Sequence, residues 1–319
     1  MDILSLHRPS LRADDLTIII PAYNEEAGIG RTLESLRDEP RLTGAKVIVI
    51  SDGSSDRTAE IAKQHGATVI ENWSNLGYGA SLKRGIQRAT TELIAWFDAD
   101  GQHQPGDLAD MVERIHREEA HAVIGARTTG SHVVKKRVLG KRIIKFAAEA
   151  AVGRKIPDVN CGLRVFRRVL LLRYVDLLPD GFSASTTSTL LFMKRNHHLV
   201  FHPIQTVERI GTSTVRQVRD GLRALHTILR ITIMFNALRT FNWCSGLLIA
   251  AGLLYGVTVG LIKGGGFPVF AAMTTILGVQ VFCLGLVCDQ ITAMRLAYLG
   301  STSRDVDLAE QQAAAGKAA

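Results

Sequence analysis

From residue 16 to residue 126, short apolar runs alternate with amphipathic stretches, and most of the apolar runs end at a polar or charged residue. The β-branched run 16–21 is predicted as a strand, followed by a helix over 27–37. A second strand is expected over 46–51, with Ser55 as N-cap of a helix over 56–65. A third strand over 67–71 leads to a helix over 80–89. A fourth over 93–97 leads to a helix whose first turn suits Pro105 and which runs to 118. A fifth strand covers 122–126. Repeated units of this kind imply an α/β fold built on a doubly wound, mostly parallel sheet. Such sheets bind ligands beyond the carboxyl ends of their strands. The residues placed there are Tyr23, Asn24 and Glu25; Asp52, Gly53 and Ser54; Asp98, Ala99 and Asp100; and Arg127.

The pattern changes after residue 210. Val215, Val218, Leu222, Leu225 and Leu229 recur at helical spacing, while Arg216, Arg219, Arg223 and Arg230 fall on another face. That predicts a basic amphipathic helix lying along a membrane surface. Two uncharged runs follow, 243–262 and 267–287, separated by Lys263-Gly264-Gly265-Gly266. Each has the length, about 20 residues, that a helix needs to cross a bilayer, so the pair reads as a transmembrane hairpin. Arginines crowd the approach to it, Arg295 and Arg304 follow it, and only Lys263 lies between, which places both ends in the cytoplasm. The N-terminus shows no charged-then-apolar signal segment. The expected organisation is a leader (1–14), a cytosolic α/β domain (15–210), interface helices (211–241), the hairpin (242–290) and a cytosolic tail (291–319). Lys135-Lys136-Arg137 and Lys141-Arg142, beside Ile143, Ile144 and Phe146, are a second candidate surface for gathering lipid phosphates, with a solvated charge run as the alternative.

Composition adds less. A formal charge of +8 over 319 residues favours an anionic partner. No basic motif interleaved with aromatic residues occurs, so nucleic acid is not the partner expected. Cys161, Cys244, Cys283 and Cys288 lack metal or redox spacing and read as reduced, structural thiols. Asn72-Trp73-Ser74 matches a glycosylation acceptor, but a cytosolic domain does not meet that machinery. Gly77-Tyr78-Gly79-Ala80-Ser81-Leu82 lacks the third glycine of a dinucleotide fingerprint and does not directly follow a strand, which argues against NAD.

The chemistry centres on Asp98-Ala99-Asp100-Gly101-Gln102-His103. Two carboxylates two residues apart at a strand end can place oxygens around a hard divalent cation, with Gln102 as a further oxygen donor and a bound diphosphate completing the shell. Such a cation would neutralise the charge that builds on a departing nucleotide diphosphate. His103 is expected to have a positioning or structural role.

Four ordered segments carry a resemblance. They are Pro21-Ala22-Tyr23-Asn24-Glu25-Glu26, Ser51-Asp52-Gly53-Ser54-Ser55-Asp56, the acidic segment Asp98–His103, and Asp158-Val159-Asn160-Cys161-Gly162-Leu163-Arg164. Together they resemble the family 2 glycosyltransferases, most closely the polyprenyl-phosphate branch of dolichyl-phosphate mannose and glucose synthase-like enzymes. The similarity runs over residues 15–240, and the hairpin resembles the anchor of bacterial members. The resemblance implies a GT-A-type fold, a nucleotide-sugar donor, a polyprenyl (undecaprenyl or dolichyl) phosphate acceptor, Mg²⁺ or Mn²⁺, and membrane lipids as surroundings. It leaves open whether copies of the chain associate. Matched by motif, Pro21, Tyr23, Glu25, Ile50 and Asp52 would hold the nucleotide, and Asp98 and Ala99 would touch the sugar nucleotide. Asp100 and Gln102 would hold the metal. Arg127 would grip phosphate between donor and acceptor, with Arg164 also on the acceptor phosphate and Arg209 on the donor phosphate. Asp98, Asp100 and Arg127 are thereby the expected catalytic residues.

Three positions depart from the family pattern: Ser51 stands in place of a frequent aspartate, Cys161 in place of a frequent serine, and Thr214 in place of a usual lysine, for which Arg216 could substitute. The Asn160-Cys161-Gly162 similarity favours a UDP-sugar over GDP-mannose. Transfer to a hydroxyl needs a general base, yet 181–195 contains no carboxylate and only Asp180 precedes it. A phosphate monoester, with a second pKa near ~6, is already ionised at neutral pH. One-step displacement with inversion and no catalytic base is therefore expected. The alternatives are transfer to a glycolipid hydroxyl and a non-catalytic nucleotide-binding membrane scaffold. Both aspartates of the acidic segment are intact, which argues against the scaffold.

Overall fold

The computed structural model describes residues 15–128, 138–207, 217–263 and 266–318. Strands and helices alternate in the order β1 (Leu16–Ala22), α1 (Ile29–Asp38), β2 (Lys46–Ser51), α2 (Thr58–Gln64), β3 (Thr68–Glu71), α3 (Tyr78–Arg88), β4 (Leu93–Trp96), α4 (Pro105–Arg117) and β5 (Ala122–Arg127). The pattern continues with α5 (Val138–Val152), β6 (Arg164–Arg167), α6 (Arg168–Arg173), α7 (Ala184–Lys194) and β7 (Leu199–Ile204), and two long helices follow, α8 (Gln217–Lys263) and α9 (Val269–Ala318). The chain divides into two compact units, Met1–Gly221 and Leu222–Ala319.

The first unit is built on a seven-stranded sheet in the order β3-β2-β1-β4-β6-β5-β7. All its pairings are parallel except those of β6, which runs antiparallel between β4 and β5. The strands before β6 are nearly continuous apolar runs because helices cover both faces. On one face Ile18, Ile20 and Val49 join Ile29 and Leu33 of α1 and Leu108 and Val112 of α4 in a single core. On the other, α3 lies so close to Ile19 and Ile50 that a side chain at Gly85 would overlap them. The chain leaves β1 toward β2 on one side and returns to β4 on the other, so the strand order reverses between β1 and β4, the position at which such sheets bind ligands beyond the carboxyl ends of their strands.

Ser55 does not cap α2. The helix begins two residues later than expected, and its first turn is tied by Asp56, whose carboxylate accepts the Thr58 N–H at 3.0 Å. Ser55 instead donates its N–H to Asn24 Oδ1 at 2.9 Å. A charged carboxylate accepts a backbone N–H more strongly than a hydroxyl does, which settles the competition.

In the second unit, Ala237–Ile262 and Val269–Met294 are each 26 residues long with mean hydropathy 2.0, long and apolar enough to cross a membrane. The first begins six residues before the run anticipated from the sequence, and the second begins two residues after its run and ends seven residues beyond it. Most of their side chains face outward, Leu247, Leu254, Leu261 and Met273 among them, as expected where lipid replaces water as the surrounding solvent. Small residues bring the two helices together: added side chains at Gly252, Gly278 and Gly285 would collide with Thr275, Ile249 and Phe241. Of the segment expected to lie at the membrane interface (211–241), the described residues from Gln217 onward belong to α8, which runs on through the first apolar span. A continuous helix keeps every backbone hydrogen bond across that junction.

Candidate active site at the carboxyl edge of the sheet

The acidic turn leaves the end of β4 at that reversal of strand order. It is clamped from the α1 side, where Thr32 Oγ1 donates to the Ala99 carbonyl at 3.0 Å and Gly28 lets the helix approach the same oxygen. Asp98 is held by two donors. The Tyr78 hydroxyl meets Oδ1 at 3.1 Å, and His103 Nε2 lies 3.1 Å from Oδ2. Burial pushes this carboxyl up, but the His103 hydrogen bond and charge, the Tyr78 hydroxyl and the Arg127 charge outweigh it and hold the group below the usual carboxylate range. The Asp98 side chain keeps 28% of its surface exposed, so a ligand can reach it. Asp100 Oδ1 accepts the Gln102 N–H at 3.2 Å, and Gly101 takes a positive φ of 71° to close that turn. Ala99 is buried beneath it.

On the β1–β2 side, Pro21 is half-buried, Tyr23 is exposed and Glu25 donates its N–H to Thr58 Oγ1 at 2.9 Å. Asn24, with φ 53°, receives Ser55 N–H and gives its own N–H to Ser54 Oγ at 3.2 Å, so the two turns act as one surface. Asp52 is only 3% exposed. Its carboxylate accepts Asn72 Nδ2 at 2.6 Å, Leu76 N–H at 2.9 Å and Gly77 N–H at 2.8 Å. The structure therefore gives Asp52 the task of shaping the 72–77 loop. The Ile50 side chain is fully buried in the core.

On the far side, Arg127 at the end of β5 makes a two-pronged pair with Asp158, Nε to Oδ2 at 2.6 Å and Nη2 to Oδ1 at 3.0 Å. Asn160 Oδ1 accepts Thr186 Oγ1 at 2.6 Å, tying the 158–164 segment to α7. Gly162 is backed by Asp98: a Cβ there would overlap its carboxylate. Arg164 is fully buried and donates to the Cys161 and Val159 carbonyls, Ser188 Oγ and Thr189 Oγ1. It is an internal tie and not a surface phosphate ligand. Cys161 is buried too, its thiol pushed up to about 12 by burial first and by the Asp158 charge second. Such a thiol is inert. Arg209, Thr214, Arg216 and Lys135-Lys136-Arg137 lie outside the described residues.

The Glycosyl transferase family 2 pattern matches residues 17–174, and the pattern of the GtrB C-terminal hairpin matches 237–294. An uncharacterised protein of Methanocaldococcus jannaschii is 34% identical over 206 residues, 62% of this chain and 83% of its own. The chain belongs to glycosyltransferase family 2. Members similar over most of its length include the undecaprenyl-phosphate 4-deoxy-4-formamido-L-arabinose transferase of Pseudomonas paraeruginosa, 24% identical over 88% of this chain and 86% of that one. The enzyme of the same description from Pectobacterium carotovorum is 26% identical over 87% and 88%. Among solved structures, glucosyl-3-phosphoglycerate synthase from Mycobacterium tuberculosis, in complex with Mn²⁺, UDP-glucose and phosphoglyceric acid, superposes with a TM-score of 0.56 at 20% identity, covering 71% of this chain and 85% of that one. That likeness shows the GT-A-like fold.

The donor atoms of this family 2 site fit a hard divalent cation held jointly with a ligand. Asp100 brings a carboxylate and Gln102 an amide oxygen, both suited to Mg²⁺ or Mn²⁺. Among the described residues no cluster of three or more His, Cys, Asp or Glu side chains is arranged to hold a metal. A cation on Asp100 and Gln102 would therefore take its remaining oxygens from diphosphate and water. Tyr78, Asp158 and Gly162 are parts of this site to which the sequence motifs assign no role, although Asp158 and Gly162 lie within the 158–164 segment. Gly77-Tyr78-Gly79 was the available signal. Its glycines exist because the Asp180 and Pro179 carbonyls pack where side chains would be.

Proposed function

We propose that this chain transfers a sugar from a nucleotide diphosphate to polyprenyl phosphate at a membrane surface, with inversion and without a general base. The observation that carries the reading is the placement of an acidic turn opposite an oriented arginine on one sheet edge, in a chain that also has an apolar hairpin. Similarity to undecaprenyl-phosphate sugar transferases over nearly nine-tenths of the chain supports the acceptor class. A UDP-sugar is the favoured donor, and the catalytic domain faces the cytoplasm.

The residues divide the work. The coupled β1 and β2 turns, with Pro21, Tyr23 and Glu25, receive the nucleotide, and Arg209 joins on the donor phosphate. Asp98 accepts hydrogen bonds from the sugar, kept ionised and aimed by His103 and Tyr78. Asp100 and Gln102 hold the divalent cation, which when bound neutralises charge on the diphosphate. Arg127 draws the acceptor phosphate into line with the anomeric carbon, supplying the positional advantage of a fixed attack geometry. The phosphate oxygen attacks, the bond from the sugar to the diphosphate breaks, and the electron pair leaves on the nucleoside diphosphate. No proton needs removal. α7 begins at this site with Ala-Ser-Thr-Thr-Ser-Thr and carries no carboxylate, while Asp180 is paired with Lys83.

Purified protein incubated with Mg²⁺, undecaprenyl phosphate and a panel of nucleotide sugars tests this. Transfer of one sugar onto the lipid phosphate is the expected outcome. Donor turnover without any lipid-linked product, across the whole panel, would sink the reading.

A further inference from the structure

Phe182 is the residue before Ser183 and α7, and 72% of its surface is exposed. It is nonetheless held in place. Its ring stacks on Tyr78 with centroids 5.5 Å apart and planes at 20°. The turn that carries it is pinned to the start of α3, since Gly79 N–H and Ala80 N–H both donate to the Asp180 carbonyl, at 2.7 and 3.0 Å, and Lys83 pairs with the Asp180 carboxylate. Side chains at Gly77 or Gly79 would collide with this turn. The partner ring is equally fixed, because the Tyr78 hydroxyl donates to Asp98. Burial keeps that hydroxyl protonated by pushing its pKa well above the ordinary value.

An exposed phenyl ring is thus connected through a single tyrosine to the carboxylate at the centre of the site. An exposed aromatic ring one stacked tyrosine away from a charged, partly exposed carboxylate suits a ligand with both a C–H face and hydroxyl edges. A sugar ring has both. A hydrocarbon chain has only the first, and would strip water from Asp98 without replacing its hydrogen bonds. We propose that Phe182, stacked on Tyr78, is a donor-specificity residue whose ring packs against the C–H face of the transferred sugar while Asp98 takes its hydroxyls. The assignment rests on the proposed sugar transfer, and it explains the cost of leaving a large apolar side chain in solvent.

The test compares the full-length protein with Phe182→Ala and Phe182→Trp. Titration with UDP-glucose and with UDP alone, and with GDP-mannose and GDP if the wild type turns over that donor, separates sugar from nucleotide. Phe182→Ala is expected to weaken binding of the sugar nucleotide about three- to tenfold, the size of one aromatic contact. Binding of the bare nucleotide and the KM for undecaprenyl phosphate should be unchanged, and Phe182→Trp should restore the loss. Equal weakening of UDP and UDP-glucose, a loss confined to the lipid KM, or no change at all would each overturn the proposal. Because Phe182 is exposed, the alanine variant should keep the wild-type melting temperature. A wild type that transfers sugar to some other acceptor would refute the lipid-phosphate reading, yet the paired titrations would still decide the role of Phe182.

Discussion

Arg127 and Asp158 meet side by side, two nitrogens on two oxygens at 2.6 and 3.0 Å, so the guanidinium plane is fixed before any ligand arrives. Burial raises the Asp158 carboxyl, but the Arg127 hydrogen bonds and charge, with the Asn160 N–H, more than offset that and leave it below the usual carboxylate range. A bidentate pair of this kind fixes direction as well as charge.

Asp158→Asn is therefore expected to release Arg127 without removing it. In steady-state assays the KM for the lipid phosphate should rise about tenfold with a smaller loss in kcat, since an arginine off axis by about 1 Å loses phosphate contact. Donor binding should be untouched. Asp158→Asn with wild-type kinetics would show that Arg127 needs no partner to hold its position.

Gly162 tests the other wall. A methyl group there has no room, because the Asp98 carboxylate already occupies the space. Gly162→Ala should displace Asp98 and lower kcat about 100-fold, a typical cost of misplacing a reacting group. The far-UV circular dichroism should be unchanged. Full activity would mean that the Asp98 position is not critical.

Much of this was legible in the sequence. The apolar runs that became β1 to β5 stand out because strands covered on both faces must be apolar throughout, and the acidic turn follows from the carboxyl-end rule. β6 and β7 were not anticipated. β6 is four residues long and antiparallel and contains two arginines, and β7 contains a histidine and Pro203. Their place in the sheet comes from pairing with β5, which no local pattern reveals. Arg164 shows the same limit. Its motif suggested a phosphate ligand, while its burial among two carbonyls and two hydroxyls is a tertiary fact. Asp52 likewise looks like a free strand-end carboxylate until its three N–H donors, which come from residues 20 to 25 positions away, are seen.

Arg164→Met should be strongly destabilising. The Cys161 and Val159 carbonyls and the Ser188 and Thr189 hydroxyls would lose their donor inside the core. Leaving such groups unsatisfied costs about 1–3 kcal/mol each before any relaxation. A fall of at least about 3 kcal/mol in unfolding free energy is expected, measured by chemical denaturation in detergent. A shift within about 0.5 kcal/mol, as for an ordinary surface substitution, would show that these acceptors find other donors.

Asp180 is the carboxylate that precedes α7 in the chain, and its side chain is mostly exposed and paired with Lys83. If the acceptor is a phosphate, Asp180→Ala should retain turnover within about threefold of wild type, since removing a true general base costs about 100-fold or more. Loss of turnover with donor binding intact would end the base-free scheme.

His197 gives the fold a predictable acid sensitivity. Burial first, then His121, Arg173 and Arg195, lower its pKa from 6.5 to about 4. The neutral ring accepts the Tyr174 hydroxyl at Nε2, 2.8 Å away. In the unfolded chain the imidazole takes a proton as pH drops below 6.5, while in the folded chain it stays neutral down to about 4. Stability should therefore be lost progressively across that window and level off beneath it. His121 and His202 are lowered in the same direction and add to the effect. His197→Gln keeps a hydrogen-bonding group but cannot titrate. Its melting temperature should fall less than that of the wild type between pH 7 and pH 5, the range over which an ordinary histidine gains its proton. Parallel melting curves for the two proteins across that range would mean that His197 is protonated in the folded state despite its burial.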